Sequence, residues 1–250
     1  MAYISEKREL TPEIKQLVLS APEIAQKVKP GQFVIVRCGE KGERIPLTVV
    51  EQDEEKGTLS IILQEVGNST KKLGSLEKGE EITDIAGPLG NPSEVMNFGT
   101  VVCIGGGVGT AMVYPVAKAL KNAGNRLVSI IGAKNRQLLI LEEQMRKISD
   151  RLLVTTDDGS YGTHGFVTDA LEKLMADGLN IDRVVAVGPV AMMSAVCRIT
   201  EKQDIQTIVS LNPIMVDGTG MCGSCRVRVG KENRFACVHG PEFPGELVDF

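Results

Sequence analysis

The stretch Thr100–Gly124, "TVVCIGGGVGTAMVYPVAKALKNAG", decides how the rest of the chain is read. It opens on an apolar run with no polar alternation, the pattern of a buried strand. A glycine turn follows, and then a helical segment that ends at Gly124. Backbone without Cβ can approach a pyrophosphate at such a turn. The helix start behind it supplies free N–H groups and a partial positive charge. The same glycines would also permit tight strand-to-helix packing, so position in the chain has to sharpen the reading.

Towards the C-terminus, strand-like and helix-like segments alternate: "RLVSIIGA", "LILEEQMRKIS", "RLLVTTDDGS", "VTDALEKLMADG", "RVVAVGP", "VAMMSAVCRITEKQ" and "QTIVSLNPIM". This alternation predicts a doubly wound parallel sheet. The glycine turn opens its first β-α unit, and ligands in such sheets bind beyond the carboxyl ends of strands. Gly105, Gly106, Gly107, Val108, Gly109 and Thr110 are therefore the expected dinucleotide site. Two further strand ends reach the same edge, one with Asp157, Asp158, Gly159 and Ser160, the other with Gly188, Pro189, Met192 and Met193. Alone, the first reads as a polar turn and the second as a helix start with core methionines. With the glycine turn they favour a cleft. Lys134 and Arg136 follow the second strand, where a 2′-phosphate could be read, so NAD against NADP stays open.

Before Gly99 the pattern differs. Short β-rich runs such as "IKQLVLSAP", "QFVIVRC", "IPLTVVEQD" and "GTLSIILQEV" alternate with Pro and Gly punctuation, which predicts an antiparallel sheet or small barrel. Arg44 precedes a Pro46-Leu47-Thr48 run, and "EVGNSTKKL" sets Gly67, Ser69 and Thr70 before a helix. A strand hydroxyl can bond a flavin ring and such a helix start can hold a pyrophosphate. On residue chemistry alone the segment reads more readily as an N-capped helix after a strand.

After Pro213 the alternation stops and "DGTGMCGSCRVRVGKENRFAC" (217–237) groups three of the six cysteines. Cys222 and Cys225 form a C-x2-C knuckle in a glycine-rich loop, and Cys237 arrives after an expected hairpin. Grouped thiolates bind metal. His239 as fourth ligand would make a Cys3His zinc site. Asp217, five residues before Cys222, would complete a loop shaped like the C-x4-C-x2-C of plant-type iron–sulfur proteins, its first cysteine replaced by a carboxylate. The glycines favour the second option, a [2Fe-2S] centre held by Asp217, Cys222, Cys225 and Cys237, since such a loop must turn its N–H groups towards a cluster.

Composition narrows the classes. A chain of 250 residues, 42% hydrophobic at net charge −4, is an ordinary globular protein. With no basic run there is no sign of nucleic-acid binding, and no segment approaches the roughly 18 apolar residues of a membrane span. The opening residues lack the apolar core of a signal peptide, so a cytoplasmic location is expected. Disulfides are then not expected, and the isolated Cys38, Cys103 and Cys197 read as small core residues. His164 and His239, the two histidines, receive no catalytic role. Hydride transfer depends on stacking and distance and requires no acid or base.

With these segments in this order, the chain resembles the electron-transfer flavoproteins of the ferredoxin reductase superfamily. Within it, the chain is similar to the small subunits of NADH-dependent reduced ferredoxin:NADP+ oxidoreductases of the sulfide dehydrogenase type, and to the electron-transfer subunits of dihydroorotate dehydrogenases. The motifs that carry the likeness are "ERIPLT", "EVGNSTKKL", "GGGVGTAMVYPVAKAL", "TDDGSYG" and the cysteine loop. The resemblance implies an FAD-binding β-barrel (1–98), an NAD(H)-binding α/β domain (99–213) and a [2Fe-2S] domain (214–250). It places Pro46, Leu47 and Thr48 along the flavin ring, with Leu63, Gln64, Gly67, Ser69 and Thr70 on the FAD tail. The nicotinamide nucleotide would lie between 105–110, 157–160 and 188–193. The superfamily has an arginine directly before the Pro-Leu-Thr equivalent, whereas this chain has Ile45 there, with Arg44 as substitute. The dihydroorotate type has cysteine at the position of Asp217, so the aspartate leans towards the ferredoxin:NADP+ type. That type implies a heterodimer with a larger flavin and iron–sulfur subunit, contact with ferredoxin through that subunit, and electron bifurcation. The alternatives are a dihydroorotate dehydrogenase electron-transfer subunit, a stand-alone flavin reductase, and a non-catalytic zinc-bearing nucleotide-binding module.

Overall fold

The computed structural model describes residues 2–40 and 42–250, which form two compact units. The first unit takes residues 1–93 and 211–241, the second 94–210 and 242–250.

The first unit begins with β1 (Ala2–Thr11), β2 (Ile14–Ser20), the short helix α1 (Pro22–Ala25), β3 (Phe33–Arg37), β4 (Arg44–Asp53), β5 (Thr58–Gln64), helix α2 (Asn68–Ser75), β6 (Glu81–Ile82) and β7 (Asp84–Leu89). These strands pair antiparallel in the order β6-β1-β2-β5-β4-β3-β7. Thr83 alone separates β6 from β7, which lie at opposite ends of that order. The two edges therefore meet, and the sheet curls into a barrel-like form. Its core follows from a period of two: Leu17 and Leu19, Val34 and Val36, Leu47 and Val49, and Leu59, Ile61 and Leu63 all point inward.

The second unit contains β8 (Thr100–Gly106), α3 (Gly109–Asn122), β9 (Arg126–Ala133), α4 (Glu142–Ile148), β10 (Arg151–Thr156), β11 (Thr163–His164), α5 (Val167–Ala176), β12 (Arg183–Val187), α6 (Val190–Glu201) and β13 (Gln206–Ser210). The order is β11-β10-β9-β8-β12-β13, all parallel. From β8 the chain winds to one side through β9 and β10, then crosses back to place β12 beside β8. The order reverses there, so the carboxyl ends of β8 and β12 flank the crevice where such sheets bind ligands. Val101, Val102, Cys103 and Ile104 of β8 are fully buried, as a strand covered on both faces requires.

The cysteine segment lies in the first unit, with a hairpin of β14 (Arg226–Val229) and β15 (Glu232–Phe235) followed by helix α7 (Ala236–His239). The chain then returns to the second unit. There β16 (Glu242–Pro244) pairs antiparallel with β13 through Val209–Phe243 and Ser210–Glu242. The isolated Cys38, Cys103 and Cys197 are buried, and burial pushes the thiols of Cys103 and Cys197 up.

Candidate functional site

At the glycine turn the structure divides the glycines by task. A Cβ on Gly105 would stand 2.7 Å from the Thr110 Cα, one on Gly106 2.4 Å from the Met192 Sδ, and one on Gly109 2.3 Å from the Val187 carbonyl oxygen. These three let β8, α3 and the start of α6 close on one another. Gly107 differs: its φ is +56° and a Cβ there would meet nothing within 4 Å. It is the residue whose bare backbone faces open space, and its N–H bonds the Gly132 carbonyl at 2.8 Å. The fourteen-residue α3 begins two residues on, directing its N-terminal dipole to the same place. A missing side chain beside a helix start, at the point of strand reversal, suits the diphosphate of a dinucleotide.

The other two strand ends assemble beside it. The amides of Asp157 and Asp158 bond the carbonyls of Ala133 and Lys134 at 3.1 and 3.2 Å, extending the β9–β10 pairing beyond its last rung. The Arg136 amide donates to Ser160 Oγ at 3.0 Å, and the Ser160 amide to Asp158 Oδ1 at 2.9 Å. Hydrogen bonds from Ser160 hold the Asp158 carboxyl below its usual value. On the β12 side, Met192 fills the space left by Gly106 and Gly188, whereas the Met193 side chain is buried.

On the barrel, β4 alternates. Ile45, Leu47 and Val49 pack into or against the core, so Arg44, Pro46 and Thr48 share the opposite face. Arg44 thus stands on the same side as Pro46 and Thr48, whereas Leu47, also expected along the flavin, is committed to the core by the strand's alternation, as is Ile45 beside it. Ser69, in the first turn of α2, donates to Glu43 Oε2 at 2.5 Å, which joins that helix start to the entry of β4. Thr70 Oγ1 accepts from the Gly67 amide and donates to the Gly67 carbonyl, both at 3.0 Å. A Cβ on Gly67 would meet nothing within 4 Å. Leu63 is in the barrel core, so only its main chain can face a ligand, and Gln64 lies beside Glu13 at 3.4 Å. Glu43 carries no motif of its own and is missed by sequence reading.

The cysteine loop brings its donors close in pairs. Cys225 and Cys237 are buried with their sulfurs 3.2 Å apart, and burial, then the Cys225 neighbour, pushes the Cys237 thiol up to about 12. Cys222 is exposed, 3.0 Å from Ser224 Oγ, whose hydrogen bond lowers its thiol. Asp217 Oδ1 accepts from the amides of Thr219 at 2.8 Å and Gly220 at 3.3 Å, and Oδ2 from Cys222 at 2.7 Å. These bonds, Thr219 first, hold its carboxyl below the usual value. Among the described residues no three donors yet stand at metal distance. His239 Nδ1 accepts from the Phe235 amide at 2.9 Å, leaving only Nε2 for a metal. Gly218 and Gly220 have φ of +76° and +84°, and Cβ atoms there would come within 2.6 Å of Leu89 and 2.8 Å of Val238. Soft thiols with one ionised carboxylate, on a glycine loop that presents its amides, form a donor set that fits an iron–sulfur cluster. Around them Ile214 (79%), Val216 (47%), Met221 (90%) and Val238 (41%) are exposed.

Comparison with known proteins matches three family profiles in chain order. They are the oxidoreductase FAD-binding domain over 1–93, the oxidoreductase NAD-binding domain over 103–198, and the iron–sulfur cluster binding domain of dihydroorotate dehydrogenase B over 212–249. A Thermotoga maritima protein named as a homolog of the dihydroorotate dehydrogenase B (NAD(+)) electron transfer subunit is 47% identical, across 99% of this chain and 87% of its own length. A Bacillus cereus dihydroorotate dehydrogenase B (NAD(+)) electron transfer subunit is 32% identical, across 98% of this chain and 96% of its own. Among solved structures, a chain from work on flavin-based electron bifurcation by NADH-dependent reduced ferredoxin-NADP oxidoreductase superposes with a TM-score of 0.95 at 46% identity. That match covers 100% of this chain and 90% of the other. No helix among the described residues is long and apolar enough to cross a membrane.

Proposed function

Since the chain belongs to the family of dihydroorotate dehydrogenase B electron-transfer subunits and their homologues, with FAD-, NAD- and iron–sulfur-binding domains, we propose that it is the small subunit of an electron-bifurcating NADH-dependent reduced ferredoxin:NADP+ oxidoreductase. The observation that carries this choice within the family is Asp217 at the head of the cysteine loop, where the dihydroorotate type has cysteine. The full-length likeness to a chain of that oxidoreductase points the same way.

When bound, FAD exchanges a hydride with the nicotinamide and single electrons with a [2Fe-2S] cluster, which is the interconversion such a subunit needs. The residues divide the holding of these groups. Gly107 and the start of α3 receive the dinucleotide diphosphate, with 157–160 and 188–193 around the remainder. Arg44, Pro46 and Thr48 present one face of β4 to the flavin, and Gly67, Ser69 and Thr70 the start of α2 to its tail, with the main chain of Leu63 and Gln64 beside them. Asp217, Cys222, Cys225 and Cys237 hold the cluster. No side chain has to move a proton. The exposed apolar residues of the cysteine loop form the face for a larger flavin and iron–sulfur partner, which in turn meets ferredoxin, in a cytoplasmic complex.

Affinity purification of the native protein tests this. The expected outcome is a second, larger subunit and a complex that reduces NADP+ when given NADH and reduced ferredoxin together. A complex that instead reduces NAD+ with dihydroorotate would favour the second reading, which the identity to the Bacillus cereus subunits supports. A lone, fast diaphorase would favour a stand-alone flavin reductase.

A further inference from the structure

Within the first unit, the flavin strand and the cysteine loop meet on one ribbon of the barrel. On β3, Val34 and Val36 point into the core, so Phe33 and Ile35 lie on the opposite face, yet both are buried. The cysteine loop covers them. A Cβ on Gly218, next to Asp217, would stand 2.9 Å from Ile35 Cδ1 and 2.6 Å from Leu89 Cδ1, and one on Gly90 would stand 2.8 Å from Phe33 Cε1 and 2.9 Å from Pro241 Cδ. Phe33 faces Thr48 of β4 on one side and Leu89 of β7 on the other, and Ile35 faces Pro46. Thr48 and Leu89 are thus two strand spacings apart, about 10 Å. Pro46 and Thr48, assigned to the flavin, and the seat of the cysteine loop are neighbours on one face.

Asn91 fastens the loop to that seat. It stands two residues beyond β7 and makes two bonds to the end of α7, the helix that carries Cys237. Its main-chain amide donates to the Gly240 carbonyl at 2.7 Å, and its side-chain Nδ2 to the Val238 carbonyl at 3.1 Å. Carbonyls at the end of a helix have no partner within it, so they take these bonds from outside. Val238 in turn meets the loop, its Cγ2 lying 2.8 Å from the place of a Cβ on Gly220. Behind Asn91, Gln32 Nε2 donates to the Gly90 carbonyl at 2.7 Å and ties the turn to the chain entering β3.

We propose that Asn91 is a positioning residue for electron transfer: it holds Cys237 and the loop against the β3–β7 face and so sets the separation of flavin and cluster. The inference rests on the flavin and [2Fe-2S] sites proposed above. NADH delivers two electrons and a proton to FAD as a hydride. One electron then passes to the cluster, reducing it, and the other stays on the flavin until the partner reoxidises the cluster. Hydride transfer does not involve Asn91, whereas electron tunnelling decays exponentially with separation. Loss of the side-chain bond therefore slows the second step and spares the first.

The test uses the anaerobic full chain loaded with FAD and iron, as the native protein, as Asn91→Ala, which keeps only the main-chain bond, and as Asn91→Asp, which sets a carboxylate against the Val238 carbonyl. Because Asn91 is exposed, both variants are expected to fold. After mixing with NADH, stopped-flow absorbance follows the flavin and freeze-quench electron paramagnetic resonance follows the cluster. Both variants should bleach flavin at the native rate and reduce the cluster about tenfold or more slower, Asn91→Asp the more affected. A second readout needs no turnover. A reduced cluster speeds the magnetic relaxation of a flavin radical near it, so in half-reduced samples the radical signal should saturate at lower microwave power in the variants. Iron-loaded variants with native cluster reduction and native saturation would overturn the proposal. Variants that lose iron, but whose remaining centres are reduced at the native rate, would make Asn91 a structural tie alone and overturn it as well. A native chain that holds no FAD or no [2Fe-2S] centre would overturn the underlying sites, and the positioning role with them.

Discussion

Asp217 is the residue whose chemistry separates the readings of the cysteine loop, and it has two tasks that substitution can part. Its oxygens accept from the amides of Thr219, Gly220 and Cys222, so it shapes the loop as well as offering a ligand. Asp217→Asn keeps an acceptor for the turn but loses the carboxylate. It should fold and load poorly, with iron released to a chelator faster than from the native protein. Asp217→Cys should retain a [2Fe-2S] centre with an altered spectrum, because ligand identity tunes the cluster. His239→Ala should change iron content little, and a loss of metal there with Asp217→Ala silent would return the site to Cys3His and zinc. The sequence makes the donors visible by spacing. The amide bonds of Asp217 were not legible, since they depend on the positive φ of Gly218 and Gly220. Similarly, Leu63 could be assigned to the FAD tail from its motif, but only the strand register shows that its side chain belongs to the core.

Among the elements, the glycine turn gives the sharpest contrast between folding and binding. Gly109→Ala drives a Cβ against the Val187 carbonyl and should destabilise the whole second unit. Gly107→Val meets open space and costs only the strain of a left-handed conformation, about 1–2 kcal/mol, yet its side chain occupies the approach to the helix start. Flavin reduction by NADH should fall by roughly a hundredfold or more with FAD still bound; unchanged NADH kinetics would exclude the cleft. On the barrel, replacing Gly67 by Val and Ser69 by Leu together should release FAD, read as loss of visible absorbance after gel filtration. The strand–glycine–helix pattern made this fold class readable in advance. Which glycine serves packing and which serves binding was not, because that is settled by α6 and Met192 arriving more than 70 residues later. A three-residue strand such as β16 has too little pattern to announce itself.

The second unit also carries a pH dependence. Asp150 takes Lys121 Nζ at 2.7 Å and the Leu127 amide at 2.8 Å, tying the end of α3 to the start of β9, and its carboxyl is lowered below 3.8, with the Lys121 bond as the first cause. A lowered folded value means that this tie is fully present above about pH 4 and is lost as pH falls through the folded value. Asp150→Asn should remove that part of the acid sensitivity. Because the pair is partly exposed, the difference near neutral pH should be about 1 kcal/mol or less by denaturant unfolding.

Across the whole chain, the proposed function joins two-electron chemistry at the nicotinamide nucleotide to one-electron chemistry at the cysteine loop, with an exposed apolar face on that loop. Met221, 90% exposed, is the most prominent side chain of that face. Met221→Lys should weaken association with the larger subunit about tenfold or more while leaving flavin and iron contents as in the native chain, read by gel filtration of the co-expressed pair. In the proposed function, NADH electrons reach the cluster within this one chain. Electron paramagnetic resonance of the anaerobic protein after addition of NADH tests it most directly. The expected result is the signal of a reduced [2Fe-2S] centre at about one spin per chain, absent without NADH and lost in Gly107→Val. Protein that holds zinc in place of iron, or whose iron stays silent while NADH bleaches the flavin, would contradict it.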